Sequence, residues 1–168
     1  MIYTRPLLKK KTRAGYLEPY LLDTENTKIS IHTVIGGYEY LDEFNEKNRF
    51  AYILNGIGYL LSMPEEKIVA VLKNNSFIEM TSRKVYKMEG QLHYVLVETI
   101  GTAKLQKNES PNFYHSIDKP ILLFVTKGVG NLYLPDNVYV LREKTVAEIP
   151  PNTPYKLNGN FEYILIQD

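Results

Sequence analysis

Imidazoles are the scarce reactive groups of this chain. His32, His93 and His115 are its three histidines, and cysteine is absent. Without cysteine there is no thiolate nucleophile, no thiolate metal site and no disulfide framework. The histidines lie far apart, and none forms an H-x-H or H-x3-H pair, the spacings that turn two imidazoles to the same side. A histidine metal site is therefore not expected. His32 and His93 read as sheet-surface or hydrogen-bonding residues. His115 is the one whose ring suits acid/base work. No dinucleotide-binding G-x-G-x-x-G and no P-loop is present; "GIG" at 56–58 and "GVG" at 128–130 read as parts of β turns. No Ser-His-Asp arrangement is suggested.

The elements that must position these groups are short. "RFAYILNG", "KIVAVLKN", "HYVLVETI", "ILLFVTKG", "VYVLREK" and "EYILIQD" are rich in Val, Ile, Leu, Tyr and Phe, and each is bounded by Gly, Asn, Pro or charged residues. No long stretch has helical periodicity. "LDEFNEKNRF" reads as a helical turn or a polar loop. Many short strands separated by turn signals predict an all-β sandwich or barrel. The 14 tyrosines suit strands and the walls of polar pockets, because each buries a ring and keeps a hydroxyl.

The bulk numbers set bounds. The 168 residues make one ordinary domain or two small ones, and 44% are hydrophobic, enough for a core. The net charge of +1 gives no global attraction to nucleic acid or membrane. Arg5, Lys9, Lys10, Lys11 and Arg13 cluster without an acid among them, which reads as a solvated N-terminal arm rather than a polyanion-binding patch. No apolar run is long enough for a membrane span, and "MIYTRPLLKKKTR" lacks the apolar core of a signal peptide. A cytoplasmic location is the expectation.

The chain also repeats itself. "AYILNGIGYLL" (51–61) aligns with "LFVTKGVGNLY" (123–133), placing Gly56 and Gly58 on Gly128 and Gly130 at an offset of 72. "IEMTSRKVYKMEGQLHYVLV" (78–97) aligns with "AEIPPNTPYKLNGNFEYILI" (147–166), placing Glu79, Tyr86, Lys87, Gly90 and Tyr94 on Glu148, Tyr155, Lys156, Gly159 and Tyr163 at an offset of 69. Two copies of one β unit follow, over 28–101 and 113–168. Residues 1–27 read as an arm that pairs across the molecule as a strand, and the polar segment 102–112 as a linker. Lys87 and Lys156 should point away from the interior into solvent.

Each unit resembles a cupin, the small jelly-roll barrel family, on the strength of its glycines, prolines and strand spacing. In the stretch "IPPNTPYKLNG", Pro150 and Asn152 stand where the second cupin motif has its proline and glycine, and Asn tolerates the positive φ of that turn. Tyr155 and Gly159 stand where it has a histidine ligand and an asparagine. Thr81, Arg83, Tyr86 and Gly90 fill the same places in the first unit. In the first motif of that unit, Gly37 and Gly56 bracket Glu43 and Asn45 at the histidine positions and Arg49 at the glutamate position. The second unit has His115, Ile117 and Ile121 there.

The resemblance implies two tandem cupin-like jelly-roll β-barrels in one compact chain. It does not carry over the family's metal ligands, so no metal and no other cofactor is expected, and the family's metal-dependent activities do not follow. On this alignment Glu43, Asn45, Arg49 and Tyr86 face the first barrel's interior and could bind a ligand. A carboxylate, a guanidinium and a phenol make a polar pocket without a metal. The competing reading is a Glu43–Arg49 ion pair that plugs the barrel. Ile117, Ile121, Leu123 and Val125 predict an apolar, structural second barrel.

No clear catalytic signature stands out, and enzymatic activity is left open. The expected function is binding of a small polar metabolite, sugar-like or anionic, in the first barrel. The alternative is a metal-independent isomerase, epimerase or lyase acting on a carbohydrate-like substrate, with Glu43, Tyr86 or His115 as acid/base. A further alternative is a non-catalytic interaction protein. A homodimer formed through a sheet edge is expected, with no nucleic-acid or membrane partner.

Overall fold

The computed structural model describes residues 2–3, 10–11, 15–17, 22–41, 46–109 and 114–167, with side chains from Leu22 onward. Every regular element among them is a β-strand, as the short apolar runs require. No helix among the described residues is long and apolar enough to cross a membrane. The chain divides into two compact units, Pro6–Ile100 and Met1–Arg5 together with Gly101–Asp168.

The first unit holds β2 (Lys10–Lys11), β3 (Gly15–Leu17), β4 (Leu22–Asp23), β5 (Thr27–Leu41), β6 (Asn48–Ser62), β7 (Lys67–Lys73), β8 (Phe77–Met80) and β9 (Tyr86–Thr99). They form one antiparallel sheet in the order β2-β3-β5-β9-β6-β7, with β4 on β5 and β8 on β6. The second unit holds β1 (Ile2–Tyr3), β10 (Thr102–Lys107), β11 (Ile121–Tyr133), β12 (Val138–Leu141), β13 (Val146–Ile149) and β14 (Lys156–Gln167). Its order is β1-β13-β11-β14-β10, with β12 on β11.

The two strand graphs match. β10, β11, β12, β13 and β14 pair with one another as β5, β6, β7, β8 and β9 do. The match extends to backbone detail. β6 has an irregularity between Ile53 and Asn55, and β11 has one between Val125 and Lys127. Asn75 and Lys144, 69 residues apart, both turn at positive φ (71° and 64°), as do Arg83 and Asn152 (59° and 55°). The positive φ expected of Asn152 is thus present, and its counterpart Arg83 adopts it without the local bonding that favours Asn. Gly58 lies opposite Gly90, and Gly130 opposite Gly159. A Cβ on Gly90 would sit 2.7 Å from the Gly58 Cα and 2.5 Å from the Ile57 carbonyl oxygen, so only glycine allows that approach.

Strand alternation sends one side of each sheet into an apolar cluster. In the first unit the cluster includes Val34, Leu41, Ala51, Ile53, Leu60, Leu72, Met80, Met88, Leu92 and Leu96. In the second it includes Ile121, Leu123, Val125, Leu132, Leu141, Ile149, Leu157 and Phe161. Ile117 is itself half-buried and packs against this second cluster.

Two expectations need correction. Residues 102–112 are not simply a linker, because 102–107 form β10 and pair with β14 along six positions. The polar composition of "TAKLQK" hid an edge strand whose Ala103 is buried while its neighbours are exposed. Lys87 is not solvated: its side chain is 12% exposed and reaches Glu66 at 3.3 Å and Glu89 at 3.6 Å. Its ammonium also lies 4.8 Å from the centre of the Tyr38 ring, and the hydrogen bond to Glu66 chiefly raises its pKa. Lys156, the equivalent residue, lies 4.6 Å from the centre of Tyr133 and 5.1 Å from that of Tyr114. Of the arm, β1 joins the second unit's sheet through β13, and β2 and β3 join the first unit's sheet through β5.

Candidate functional site

The polar groups on the cluster side of the first unit's sheet come from β5, β6 and β9. On β5, Ser30 and His32 alternate onto the side that carries Val34, directly opposite Leu96 and Tyr94 of β9. Ser30 is 1% exposed and His32 7%. The Ser30 Oγ lies 2.8 Å from the His32 Nε2, and the His32 Nδ1 lies 2.6 Å from the Glu39 Oε1. The imidazole stacks on the Tyr94 ring, with 4.9 Å between centroids and 13° between planes. Glu39 is the outermost member, its side chain 24% exposed.

Strict alternation would put His32 and Glu39 on opposite sides, since seven residues separate them. The bulge between Val34 and Gly37, with Gly36 at φ 60°, inserts one extra residue on β5 and restores Glu39 to the same side. The Tyr94 hydroxyl is buried and meets no partner in hydrogen-bonding geometry. Burial, and after it the Glu39 carboxylate, hold the Tyr94 pKa well above the usual phenol range. The constellation can hold a proton on an imidazole oriented by a carboxylate at one nitrogen and a hydroxyl at the other.

Arg49 and Tyr86, paired by the sequence reading, do come together. The guanidinium carbon lies 5.5 Å from the Tyr86 ring centre, and the residues are 2% and 6% exposed. Both also hold the turn before β9. The Arg49 Nη2 donates to the Thr81 carbonyl at 3.0 Å and to the Lys84 carbonyl, and the Thr81 N–H donates to the Tyr86 hydroxyl at 3.2 Å. Tyr86 packs in the apolar cluster. Glu43 and Asn45, the other two expected ligand-binding residues, lie outside the described residues, as does the supposed Glu43–Arg49 ion pair.

His115 is separate from this constellation. It is exposed and forms an isolated bridge with Tyr155, its ring tilted 5.8 Å from the tyrosine ring. His93 half-faces solvent and its Nδ1 lies 3.0 Å from the Thr33 Oγ1. Thus the sequence reading watched His115, whereas the carboxylate-paired histidine is His32. The available signal was Ser30-x-His32 on one strand; the missing one was the bulge that returns Glu39.

The second unit lacks the equivalent set. By strand register, Gln106 on β10 faces Tyr163 on β14 as His32 faces Tyr94, and the Tyr163 hydroxyl donates to the Gln106 Oε1 at 3.1 Å. Ile121 replaces Arg49, each lying opposite the last residue of β8 or β13.

Cupin metal centres use imidazoles and a carboxylate. Isoleucine and guanidinium offer no electron pair to a metal, and Tyr86 is packed against the apolar cluster. Among the described residues no three His, Asp or Glu side chains come together as a metal site. The described residues do not fit the group.

No protein-family model matches the chain, and no curated protein matches it by sequence. Its structure does match solved ones. A cupin 2 conserved barrel domain protein from Leptotrichia buccalis is 19% identical with a TM-score of 0.65, covering 96% of this chain and 91% of that one. A conserved protein of unknown function from Pseudomonas aeruginosa PAO1 is 15% identical with a TM-score of 0.76, covering 99% and 96%. Bacillus subtilis oxalate decarboxylase is 7% identical with a TM-score of 0.77, covering 99% of this chain and 76% of that one. At these identities the likeness establishes a cupin-type fold and nothing about activity.

Proposed function

We propose that the chain is a metal-independent protein of two cupin-like barrels whose first barrel binds a small polar molecule, sugar-like or anionic. One observation carries the reading: Ser30, His32 and Glu39 form a hydrogen-bonded chain on the cluster side of the sheet, ending at a partly exposed carboxylate. A chain of buried polar groups is costly to keep in an apolar interior, and a ligand that meets it would explain its retention. In this reading Glu39 and His32 would meet the ligand, and Glu43, Asn45, Arg49 and Tyr86 remain proposed contacts.

Thermal shift with a panel of sugars, sugar acids and nucleotide sugars tests this. At least one class should raise the melting temperature of the wild type and fail to do so in Glu39→Gln. A panel without effect, or one equally effective on the variant, overturns the reading.

The second reading is a metal-independent isomerase, epimerase or lyase. The His32–Glu39 pair favours it, because a carboxylate on one imidazole nitrogen fixes the tautomer while the other nitrogen meets the Ser30 hydroxyl, through which a proton could pass. Any ligand found should then exchange a carbon-bound proton with D2O in the presence of wild-type protein and not of His32→Asn. Binding without exchange leaves the first reading alone.

A homodimer through an exposed edge such as β7, where Ile68 and Val71 are 54% and 61% exposed, is proposed with it. A monomer by light scattering at high concentration would remove that part.

A further inference from the structure

Thr33, His93 and Asn55 form a row across β5, β9 and β6, with His93 directly opposite both of the others. Their chain neighbours Val34, Leu92 and Tyr94 belong to the apolar cluster, so strand alternation turns the row to the other side of the sheet, away from His32 and Glu39. The strands flanking β9 are both irregular near this level, β5 between Val34 and Gly37 and β6 between Ile53 and Asn55. Such irregularities bend a strand and increase its twist. Between the two flanks lies a cleft of about 300 Å³, the low end of the range for ligand sites. Its lining includes Thr33, Ile35, Asn55, Ile57, Gln91 and His93.

This lining is polar in the middle and apolar at the sides. The Thr33 Oγ1 lies 3.0 Å from the His93 Nδ1 and holds the imidazole by one edge. Asn55 and Gln91 are exposed, and each amide both donates and accepts. Ile35 and Ile57 are more than half exposed beside these groups. Tyr59, also exposed, follows Ile57 on the same side of β6 about 7 Å further along. Exposed apolar side chains that border a polar cleft mark a contact surface for a ligand. No Asp, Glu, Lys or Arg is among the described lining residues. Glu89, opposite Tyr59, lies 3.6 Å from the Lys87 ammonium, which balances its charge.

The second unit has a cleft of about 290 Å³ at the equivalent place. There Lys107, Lys127, Asn160 and Glu162 stand where Thr33, Asn55, Gln91 and His93 do. The cleft thus belongs to the repeated β unit, and charge distinguishes the copies. Lys107 and Lys127 lie opposite Glu162 on its two neighbouring strands, an arrangement that stabilises a sheet by itself. The first unit holds neutral groups in the same places, so its cleft offers paired donors and acceptors without net charge.

We propose that the outward cleft over β5, β9 and β6 is a binding site for a neutral saccharide, its hydroxyls paired with the Asn55, Gln91 and His93 side chains and its carbon-bound hydrogens laid on Ile57 and Tyr59. Adjacent sugar hydroxyls match an amide that donates and accepts at once, and a sugar's apolar face matches an aliphatic and aromatic wall. The site is on the opposite side of the sheet from Ser30, His32 and Glu39 and does not depend on a ligand there.

Titration of the 15N-labelled full chain with cellobiose, maltose and N,N′-diacetylchitobiose tests it through the side-chain amide signals of Asn55 and Gln91. At least one sugar should shift both signals saturably. Gln91→Ala should weaken binding about tenfold, the effect of one or two lost hydrogen bonds, and Tyr59→Ala by a similar factor through loss of the ring. Both side chains are exposed and neither belongs to the apolar cluster, so both variants keep the fold. Glu39→Gln should leave the binding unchanged, which separates this site from the one proposed around His32. No saturable shift with any of the three sugars, or equal affinity in either cleft variant, overturns the proposal. Equal shifts of the Asn160 amide in the charged cleft, or stronger shifts by glucuronate than by the neutral sugars, would overturn the assignment of an uncharged ligand.

Discussion

The His32 imidazole lies flat against the Tyr94 ring from the directly opposite position on the neighbouring strand. The stack holds the imidazole in plane, and Glu39 and Ser30 engage its two nitrogens from the ring's edge. A histidine restrained this way acts with its carboxylate as a unit. In a double-mutant cycle on stability, His32→Ala and Glu39→Gln should couple by about 1.5–3 kcal/mol, the range for a hydrogen bond to a charged group. Additive effects would mean that the 2.6 Å contact does not persist in solution.

Tyr94 itself should behave unusually at high pH. Its phenol stays protonated when folded and ionises near its ordinary value, about 10, when unfolded. The folded state then binds more protons than the unfolded state above about pH 10, so stability should fall as pH rises there. Tyr94→Phe should lose less stability between about pH 10 and 11 than the wild type. At neutral pH the variant should be equal or slightly more stable, because it deletes a buried hydroxyl that has no hydrogen bond. Urea melts at the two pH values check both statements.

Arg49 should matter for the turn before β9. Arg49→Met keeps much of the side-chain volume and removes the donor to the Thr81 and Lys84 carbonyls. A loss of about 2–4 kcal/mol is expected from groups left unsatisfied in a buried place. Faster amide exchange over 81–86 should accompany it. Unchanged stability and exchange would show that water replaces the guanidinium without cost.

The glycines divide by environment. Gly90→Ala drives a Cβ into the backbone of β6 at a positive φ of 132°, and should cost more than about 3 kcal/mol. Gly37→Ala meets nothing nearer than 3.9 Å and should stay within about 1 kcal/mol of wild type. Similar costs for the two would argue against the close Gly58–Gly90 crossing.

Metal content is the simplest check on the proposed function. Protein purified without chelator should carry far less than one metal ion per chain, measured by mass spectrometry. Stoichiometric metal would return metal-dependent chemistry to the first place and discard the metal-independent reading.

Much of the architecture was legible in the sequence because its constraints are local and strict. Gly56, Gly58 and Gly90 repeat as Gly128, Gly130 and Gly159 because strands pass too close for a Cβ. Arg49 and Tyr86 were brought together by counting from those glycines. What could not be read were breaks in the strand period. One extra residue before Gly37 decides which side Glu39 faces, and nothing in its own side chain announces that. β10 escaped for a different reason: an edge strand needs only one apolar side, and Ala103 and Leu105 are a faint version of it.

The pairing of β1 with β13 has a consequence for how the chain acquires its structure. Ile2 is made 145 residues before its partner Ala147. The opening segment must therefore wait, unpaired, while the first unit's strands find their local neighbours. Loops of this span slow folding much more than they weaken the folded state. Nascent chains released before Ala147 should present Ile2 and Tyr3 to chaperones, and deleting residues 1–5 should expose the β13 edge to pairing with other chains.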